Sequence, residues 1–387
     1  MGGANAVFTR YVPDNSVVAG IPARVILDDS NRCFTQEWEK YFAIISMNRL
    51  QYIDIKSFSH SFELADLLTD SRFLITGSTG LIGSTLVYSL LALDKNIQLT
   101  CPVRDIKKAE TMFLDMSNDI HFIECDIIAY LEGLGLYNDF DYIIHCASPT
   151  AGKYMIEHPT ETYTLAIDSM RAILEYAKNK ENVKGIVYLS SIEYYGRNFD
   201  DRIITEDMLG YIDYSDSRSS YPLGKRAAEY LCNMYARQYK VNVMTARLTQ
   251  TFGPGVSASD NRVFAQFARN VIDGTDIILH TTGESAKPYC YTMDTISAIL
   301  YILLKGTKGE AYNVANEDTY ISIKELADYV SIKFNPLVNV IIEELPDMGY
   351  APVTRLNLST KKLSALGWVP KYGLETMFMN LIESLQA

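Results

Sequence analysis

A tyrosine and a lysine four residues apart, Tyr221 and Lys225 in SSYPLGKRAAEYLC, have the spacing and chemistry of a catalytic pair. Residues four apart lie on one face of a helix. An ammonium group beside a phenol stabilises the phenolate and lowers its pKa, so the tyrosine could act as a base near neutral pH. Ser191, which ends the apolar run GIVYLSS, could contribute a hydroxyl group to the same site as this pair. We therefore predict a catalytic group formed by Ser191, Tyr221 and Lys225.

The polar turn SSIE at the end of that run can be interpreted in two ways. Serines favour turns because they bond to nearby backbone, and Glu193 could be a solvated carboxylate. Alternatively, strand alternation would direct Ser191 and Glu193 to one side, and Ser190 and Ile192 to the other. The second interpretation predicts that the hydroxyl and the carboxylate share a pocket with Tyr221, while Ile192 packs inward.

A glycine-rich turn, TGSTGLIG, lies between the apolar run FLIT and the helix-like segment STLVYSLLAL. A strand, a glycine turn and a helix follow one another in this order at dinucleotide-binding sites. Backbone N–H groups and the helix N-terminus then face a pyrophosphate, and Gly83 allows the helix to pack closely on the strand. The predicted cofactor contacts are Gly77, Ser78, Thr79, Gly80, Leu81, Ile82 and Gly83.

Residues at two later strand ends are candidates for contacts with the adenosine part of the dinucleotide. Arg104 follows the second strand, where an acidic residue would bond the adenine ribose of NAD. Arg104 could instead pair with a 2′-phosphate, which favours NADP, although an ordinary surface arginine is an equally good explanation. Asp126, which closes FIECD, is a plausible contact to the adenine amino group. The cofactor prediction is therefore NAD or NADP.

The elements that must position these groups alternate along the chain. After Arg72, the strand candidates FLIT, IQLTCPV, IHFIECD, YIIHCAS, GIVYLSS and VNVMTARL are separated by helical or loop sequence. Such alternation predicts an α/β fold with a doubly wound parallel sheet of the Rossmann type. Residues 71–251 would form the NAD(P)-binding domain. Residues 252–387 would form mainly a smaller substrate-binding lobe, with a return to the sheet near 288–317.

The first 70 residues have a different pattern. Residues 1–27 resemble the closing turn of a left-handed hexapeptide-repeat acyltransferase, on the stretch VPDNSVVAGIPARVI. A single coil cannot bury its own apolar face, and no catalytic histidine occurs there, so acyltransferase activity is not expected. A fusion relic and an arm that docks on a partner both stay open. Residues 28–70 are predicted to form a helical linker that packs through Trp38, Tyr41, Phe42 and Ile45.

The composition excludes several classes of function. Acidic residues outnumber basic ones 47 to 35, and a net charge of -12 argues against a nucleic-acid surface and against anionic membranes. The six cysteines lack the spacing of zinc ligands, so we expect reduced thiols and no metal. No leader and no apolar run of membrane-spanning length occurs, so a cytoplasmic location is expected.

From about Arg72 to the C-terminus, the chain resembles the extended short-chain dehydrogenase/reductases that act on nucleotide sugars. The resemblance rests on TGSTGLIG, HCASP, SSIEYYG, YPLGK, RLTQTFGPG, GESAKPYCYTMD and LGWVPK. Within that family of epimerases, dehydratases and decarboxylases, HCASPTAGKYMIEHPTET and YPLGKRAAEYLC are most similar to UDP-glucuronate decarboxylases. The resemblance implies NAD or NADP retained through the catalytic cycle, a nucleotide-diphosphate sugar as substrate, and a homodimer.

The resemblance also implies roles for individual residues. Ser191 would hydrogen-bond the sugar C4 hydroxyl, Tyr221 would take its proton, and Lys225 would bind the nicotinamide ribose. Glu193 occupies the position of a glutamate found in decarboxylases and 4,6-dehydratases. Ile192 stands where those dehydratases carry a proton-donating aspartate, which disfavours the elimination of water. Further cofactor contacts implied by position are Ile127, Ala147 and Ser148.

For the substrate, the resemblance places cations for a nucleotide diphosphate at Arg262 and Lys287. An arginine is usual at the second position, so Lys287 would replace a bidentate grip on phosphate by a point charge. Tyr154, Gln250 and Arg355 are further candidates, and ordinary surface or core polar groups are the alternative for each. Decarboxylation leads, with epimerisation or atypical 4,6-dehydration as alternatives and a non-catalytic cofactor-binding scaffold as a distant one.

Overall fold

A computed structural model describes residues 17–19, 24–27, 47–114, 116, 119–149, 151–198, 200–345 and 353–386. The chain forms two compact units, residues 1–46 with 113–116 and residues 47–112 with 117–387. In the first unit, strands β1 (Val17–Ala19) and β2 (Arg24–Leu27) pair in antiparallel fashion. The rest of the predicted hexapeptide-like arm lies outside the described residues, as does the linker as far as residue 46.

The second unit carries the sheet and its helices. Its strands are β3 (Arg72–Thr76), β4 (Gln98–Val103), β5 (Ile120–Glu124), β6 (Tyr142–His145), β7 (Gly185–Ser191), β8 (Ile203–Ile204), β9 (Val243–Leu248), β10 (Gln250–Phe252), β11 (Ile277–Leu279), β12 (Ala286–Tyr291), β13 (Ala311–Val314), β14 (Asn316–Ser322), β15 (Val340–Ile342) and β16 (Asn357–Leu358). Its helices are α1 (Arg49–Ser61), α2 (Leu81–Ala92), α3 (Ile106–Met112), α4 (Ile127–Glu132), α5 (Gly152–Glu157), α6 (Pro159–Lys178), α7 (Ser220–Gln238), α8 (Val263–Asp273), α9 (Thr292–Lys305), α10 (Ile323–Phe334), α11 (Lys361–Ser364) and α12 (Leu374–Gln386).

The main sheet has seven parallel strands in the order β13-β9-β7-β6-β3-β4-β5, which confirms the predicted doubly wound fold. Strands β6 and β9 are buried along their whole length, because helices cover both faces of a parallel sheet. The strand order reverses between β3 and β6. Ligands of such sheets bind beyond the carboxyl ends of the strands at this reversal. The glycine turn after β3 lies at that edge.

The part of the chain after Phe252 contributes to more than one sheet. Strand β13 pairs with β9 in the main sheet, within the segment where a return was expected. Strand β12 instead joins β10 and β14 in a separate three-stranded sheet. Both parts of the chain belong to one compact unit, so the division into a cofactor domain and a substrate lobe at 251/252 stays a prediction about function.

Helix α1 precedes the main sheet and covers the predicted linker from Arg49 to Ser61. Asn48 caps the helix by accepting a hydrogen bond from the backbone N–H of Leu50 at 2.9 Å. Inside the unit, Tyr291 donates a hydrogen bond to Asp54 of this helix at 2.5 Å. Helix α1 is thereby tied to strand β12. Within the described ranges, no helix has the length and apolarity to cross a bilayer.

Candidate active site

The glycine turn after β3 is packed to distances that only glycine permits at two positions. Gly77 has a φ of +69°, and a Cβ there would lie 2.7 Å from the backbone nitrogen of Ala147. A Cβ at Gly83 would lie 2.1 Å from the carbonyl oxygen of Gly77. These two glycines therefore bring the turn, helix α2 and the end of β6 together.

Gly80 differs from those two glycines. It is exposed, its φ is −88°, and a Cβ would make only an ordinary 3.4 Å contact with the carbonyl oxygen of Gly77. The protein itself does not require a bare backbone here, which fits the close approach of a ligand instead. The uncapped N-terminus of α2 begins at the next residue and suits the negative charge of a pyrophosphate. The turn thus fits a dinucleotide.

The other predicted cofactor residues lie at the carboxyl ends of neighbouring strands. Arg104 is exposed just beyond β4. Asp126 caps helix α4, and one of its oxygens accepts a hydrogen bond from the backbone N–H of Ala129 at 2.8 Å. Ile127 is buried in the core. The contact of Asp126 with an adenine amino group stays a prediction, and only its second oxygen is free of this capping bond.

Tyr221 and Lys225 lie one turn apart at the start of α7. Lys225 is 3% exposed, and its Nζ donates a hydrogen bond to the carbonyl oxygen of Leu189 at 2.8 Å. Nζ lies 5.5 Å from the centroid of the Tyr221 ring and 4.9 Å from that of Tyr188. Burial lowers the pKa of Lys225 to about 8, against the opposing charge of Glu229.

The expectation that Lys225 lowers the pKa of Tyr221 is wrong. Burial is the largest effect on this phenol and, with the negative charge of Glu193, raises its pKa to about 12. Hydrogen bonding with Ser191 and Ser148 and the positive charge of Arg218 act in the opposite direction on the same pKa. The lysine ammonium is instead engaged with a strand carbonyl. The structure nevertheless brings Ser191, Ser148 and Glu193 around Tyr221.

Strand alternation does not extend to Glu193, so that part of the sequence prediction is wrong. Strand β7 ends at Ser191, and residues Ile192–Tyr195 form a 3₁₀-helix. The reason is local, because Ser191 Oγ accepts a hydrogen bond from the backbone N–H of Glu193 at 3.2 Å and caps this turn. Ile192 is 7% exposed and packs in a cluster with Ile204 and Leu358, as an inward-facing residue should.

Arg218 is a residue of the site that sequence reasoning missed. Its Nη2 donates a hydrogen bond to Glu193 Oε1 at 2.8 Å, and its Cζ lies 5.7 Å from the centroid of the Tyr221 ring. The available signal was a cation three residues before the tyrosine, in RSSY. Glu193 is therefore held in an ion pair beside the phenol of Tyr221.

A buried ion pair beneath the site was also missed. Arg247 Nη2 donates to Glu229 Oε2 at 2.9 Å, and both side chains are less than 9% exposed. Ser190 Oγ donates a hydrogen bond to the same glutamate. Arg247 also donates to the hydroxyl of Tyr195 at 2.9 Å. This network fixes the end of β7 and the following turn, on which Ser191 stands.

Two of the candidate substrate residues, Lys287 and Arg262, interact electrostatically, and Lys287 also interacts with Glu193. Lys287 lies on β12. Burial lowers its pKa, the charge of Arg262 lowers it further, and the charge of Glu193 raises it. Gln250 lies beside Tyr289 of the same strand, and its Oε1 is buried without a hydrogen-bond partner in the described part of the chain. The orphan acceptor suits a hydroxyl or N–H group of a ligand, and the buried cation suits an anionic group.

Arg262 and the two remaining substrate candidates have contacts within the protein. Arg262 forms an ion pair with Asp260 at 2.5 Å, which the sequence SDNR could have suggested. Arg355 forms an ion pair with Asp201 at 3.0 Å. Tyr154 is exposed, and its ring centroid lies 4.6 Å from that of His158. Contacts of these residues with a substrate stay predictions.

Comparisons with known proteins give a family match, similar sequences and similar folds. Residues 73–315 match a family described as the NAD dependent epimerase/dehydratase family. UDP-glucuronic acid decarboxylase 6 of Arabidopsis thaliana is 27% identical over 314 residues, which cover 79% of this chain and 86% of that protein. A UDP-glucose 4-epimerase structure from Thermotoga maritima has a TM-score of 0.70 at 20% identity, covering 81% of this chain and 98% of that one. A dTDP-glucose 4,6-dehydratase from Bacillus anthracis, in complex with NAD, has a TM-score of 0.67 at 18% identity, covering 82% and 96%.

Proposed function

Because the chain belongs to the NAD dependent epimerase/dehydratase family, we propose that it decarboxylates UDP-glucuronate through a transient oxidation at C4 of the sugar. Membership confirms the resemblance drawn from the sequence motifs and makes NAD the cofactor, whereas the leaning to NADP from Arg104 gains no support. The observation that carries the proposal is the grouping of Ser191, Glu193 and Tyr221 beside an apolar Ile192.

Bound NAD would supply reversible hydride transfer at C4 of the sugar, so that C4 would be a ketone between oxidation and reduction. The turn from Gly77 to Gly83 and the N-terminus of α2 would hold its pyrophosphate. Lys225 would hold the nicotinamide ribose. The close packing of Gly77 against Ala147 keeps this turn beside the carboxyl end of β6.

The protein's own groups would handle the protons. Ser191 would hydrogen-bond the C4 hydroxyl while Tyr221 takes its proton. Once C4 is a ketone, the bond between C5 and its carboxylate can break. CO2 then leaves, and the bonding electrons enter an enolate, which the hydroxyls of Ser191 and Tyr221 would stabilise by hydrogen bonds. Protonation at C5 and reduction at C4 would leave a pentose.

The same residues disfavour loss of water from a neutral sugar. Elimination requires an acid to protonate the leaving hydroxyl, and Ile192 has no proton to give. Its side chain also packs among Tyr195, Ile204 and Leu358. Glu193 is held by Arg218 and is the carboxylate that acts on Tyr221. The three relatives reported at 27% identity are all called UDP-glucuronic acid decarboxylases, which supports the same choice.

A mass-spectrometric assay tests the proposal. Purified protein with added NAD is incubated separately with UDP-glucuronate, UDP-glucose and UDP-galactose. Loss of CO2 from UDP-glucuronate, absent in a Tyr221→Phe variant, is the expected result. Loss of water, or a product of unchanged mass with altered retention, would replace the proposal by dehydration or epimerisation. No change with any of these sugars would favour the non-catalytic scaffold.

A further inference from the structure

Arg218 uses only one arm of its guanidinium within the described structure. Nη2 donates to Glu193, whereas Nη1 is buried and has no hydrogen-bond partner among the described residues. Buried nitrogens of arginine are normally hydrogen-bonded, and the fork suits two parallel bonds to a carboxylate or phosphate. The orphan nitrogen therefore points to an anionic group that the protein does not supply.

The position of this arginine is fixed close to the reacting atoms. Arg218 lies in a 3₁₀-turn (Ser217–Ser219) immediately before α7, and its backbone N–H donates to Asp216 Oδ1 at 2.9 Å. Its guanidinium carbon lies 5.7 Å from the centroid of the Tyr221 ring. A group bound by Nη1 would therefore lie near the sugar carbon whose hydroxyl faces Tyr221.

The cations of the site divide into two sets. Arg262 lowers the pKa of Lys287 because the two carry like charges. A diphosphate bound between them would relieve this repulsion. Arg218 is the cation that acts on Tyr221. A carboxylate on C5, the neighbour of C4, would meet the negative charge of Glu193 unless a cation stood between them. Arg218 already holds Glu193 with one arm and could hold the second anion with the other.

We propose that Arg218 selects nucleotide sugars whose sugar ring carries a carboxylate, with Nη2 kept on Glu193 and Nη1 donating to that carboxylate. The inference rests on the proposed function for the orientation of the sugar, with C4 at Tyr221. It makes Arg218 a specificity-determining residue, separate from the cations that take the diphosphate.

Binding measurements without turnover test this inference. In a Tyr221→Phe background loaded with NAD, calorimetry gives the affinities for UDP-glucuronate and UDP-glucose. Adding Arg218→Gln should weaken the binding of UDP-glucuronate about tenfold to a hundredfold, which corresponds to the loss of one charged hydrogen bond. It should change the affinity for UDP-glucose by less than about twofold. Lys287→Gln is the matched control and should weaken both ligands alike. Equal effects of Arg218→Gln on the two ligands, or none on UDP-glucuronate, would overturn the inference.

Two further outcomes keep the test decisive. If Arg218→Gln fails to fold, Arg218→Lys retains the charge and loses the fork, and a selective loss of UDP-glucuronate affinity is still expected. CO2 release by the wild type tests the proposed function independently. Selective binding without CO2 release would support the role of Arg218 and reject the decarboxylase. CO2 release with equal losses for both ligands would do the reverse.

Discussion

Two alanine substitutions in the glycine turn should separate what the fold needs from what the ligand needs. In Gly83→Ala, the new methyl group would lie 2.1 Å from the carbonyl oxygen of Gly77 and 2.8 Å from its carbonyl carbon. Both atoms belong to the backbone, so the helix or the turn must move. In Gly80→Ala, the new methyl group would make one ordinary contact of 3.4 Å and face solvent.

The magnitudes follow from these contacts. Overpacking in a core costs about 1 to 3 kcal/mol, and the backbone clash at Gly83 places Gly83→Ala at or above the upper end. At Gly80, alanine restricts the unfolded chain, which stabilises the folded state by about 0.4 to 1 kcal/mol. Alanine is also a poorer N-cap than glycine, which destabilises the folded state by a similar amount. We expect no net change in stability. The methyl group would, however, stand where a pyrophosphate must approach, so NAD affinity should fall at least about tenfold, or about 1.4 kcal/mol.

Urea unfolding of the cofactor-stripped proteins measures stability, and calorimetric titration with NAD measures affinity. Gly83→Ala should lose at least about 3 kcal/mol of unfolding free energy. Gly80→Ala should unfold at the same urea concentration as the wild type and bind NAD weakly. Wild-type NAD affinity in Gly80→Ala would refute the assignment of this position to the ligand. Wild-type stability in Gly83→Ala would refute the packing argument.

Three further predictions concern the catalytic base and two buried groups. Tyr221→Phe should abolish turnover and leave NAD affinity unchanged in calorimetry, and retained activity would rule out the phenol as the base. Glu229→Gln leaves Arg247 buried without its charge partner and should lower the free energy of unfolding in urea by about 3 to 5 kcal/mol. Asp328→Asn, which breaks an exposed ion pair, is the control and should lower it by less than about 0.5 kcal/mol. Burial raises the pKa of Asp54 to about 6, so the folded state binds its proton more tightly than the unfolded chain. The unfolding free energy should then fall by up to about 3 kcal/mol as the pH rises from about 4 to about 6, and Asp54→Asn should lack that fall; parallel pH profiles would contradict it.

The sheet could be predicted because its strands carry the signal in consecutive residues. Strands buried on both faces are continuous apolar runs, and YIIH and GIVYLSS each became one strand of the parallel sheet. The pair Tyr221 and Lys225 was equally local, since one helical turn relates the two positions. Gly77 and Gly83 were recognised as glycines of a nucleotide turn. The sequence could not show that the protein's own packing requires these two glycines and does not require Gly80.

The rest of the site depends on contacts that no local pattern encodes. Glu193 was expected to continue the strand, but the hydroxyl of Ser191 caps a 3₁₀-turn there and competes with the ladder. Arg355 was a candidate contact to the substrate, and its ion-pair partner Asp201 is distant in sequence. The pKa of Tyr221 also depends on burial, which outweighs the charge of Arg218 and the hydrogen bonding of Ser191 and Ser148 and could not be read from spacing alone.

The raised pKa of Tyr221 affects both proton transfers of the proposed cycle. A phenol with a pKa of about 12 gives up its proton reluctantly, and a phenolate formed there recovers one readily. An enzyme that only oxidised its substrate would gain from a lower value. A cycle that oxidises C4 and later reduces it needs the same group to return a proton to the C4 oxygen. Burial and the charge of Glu193 favour that return and oppose the first deprotonation, whereas Arg218, Ser191 and Ser148 act in the opposite direction on the same pKa.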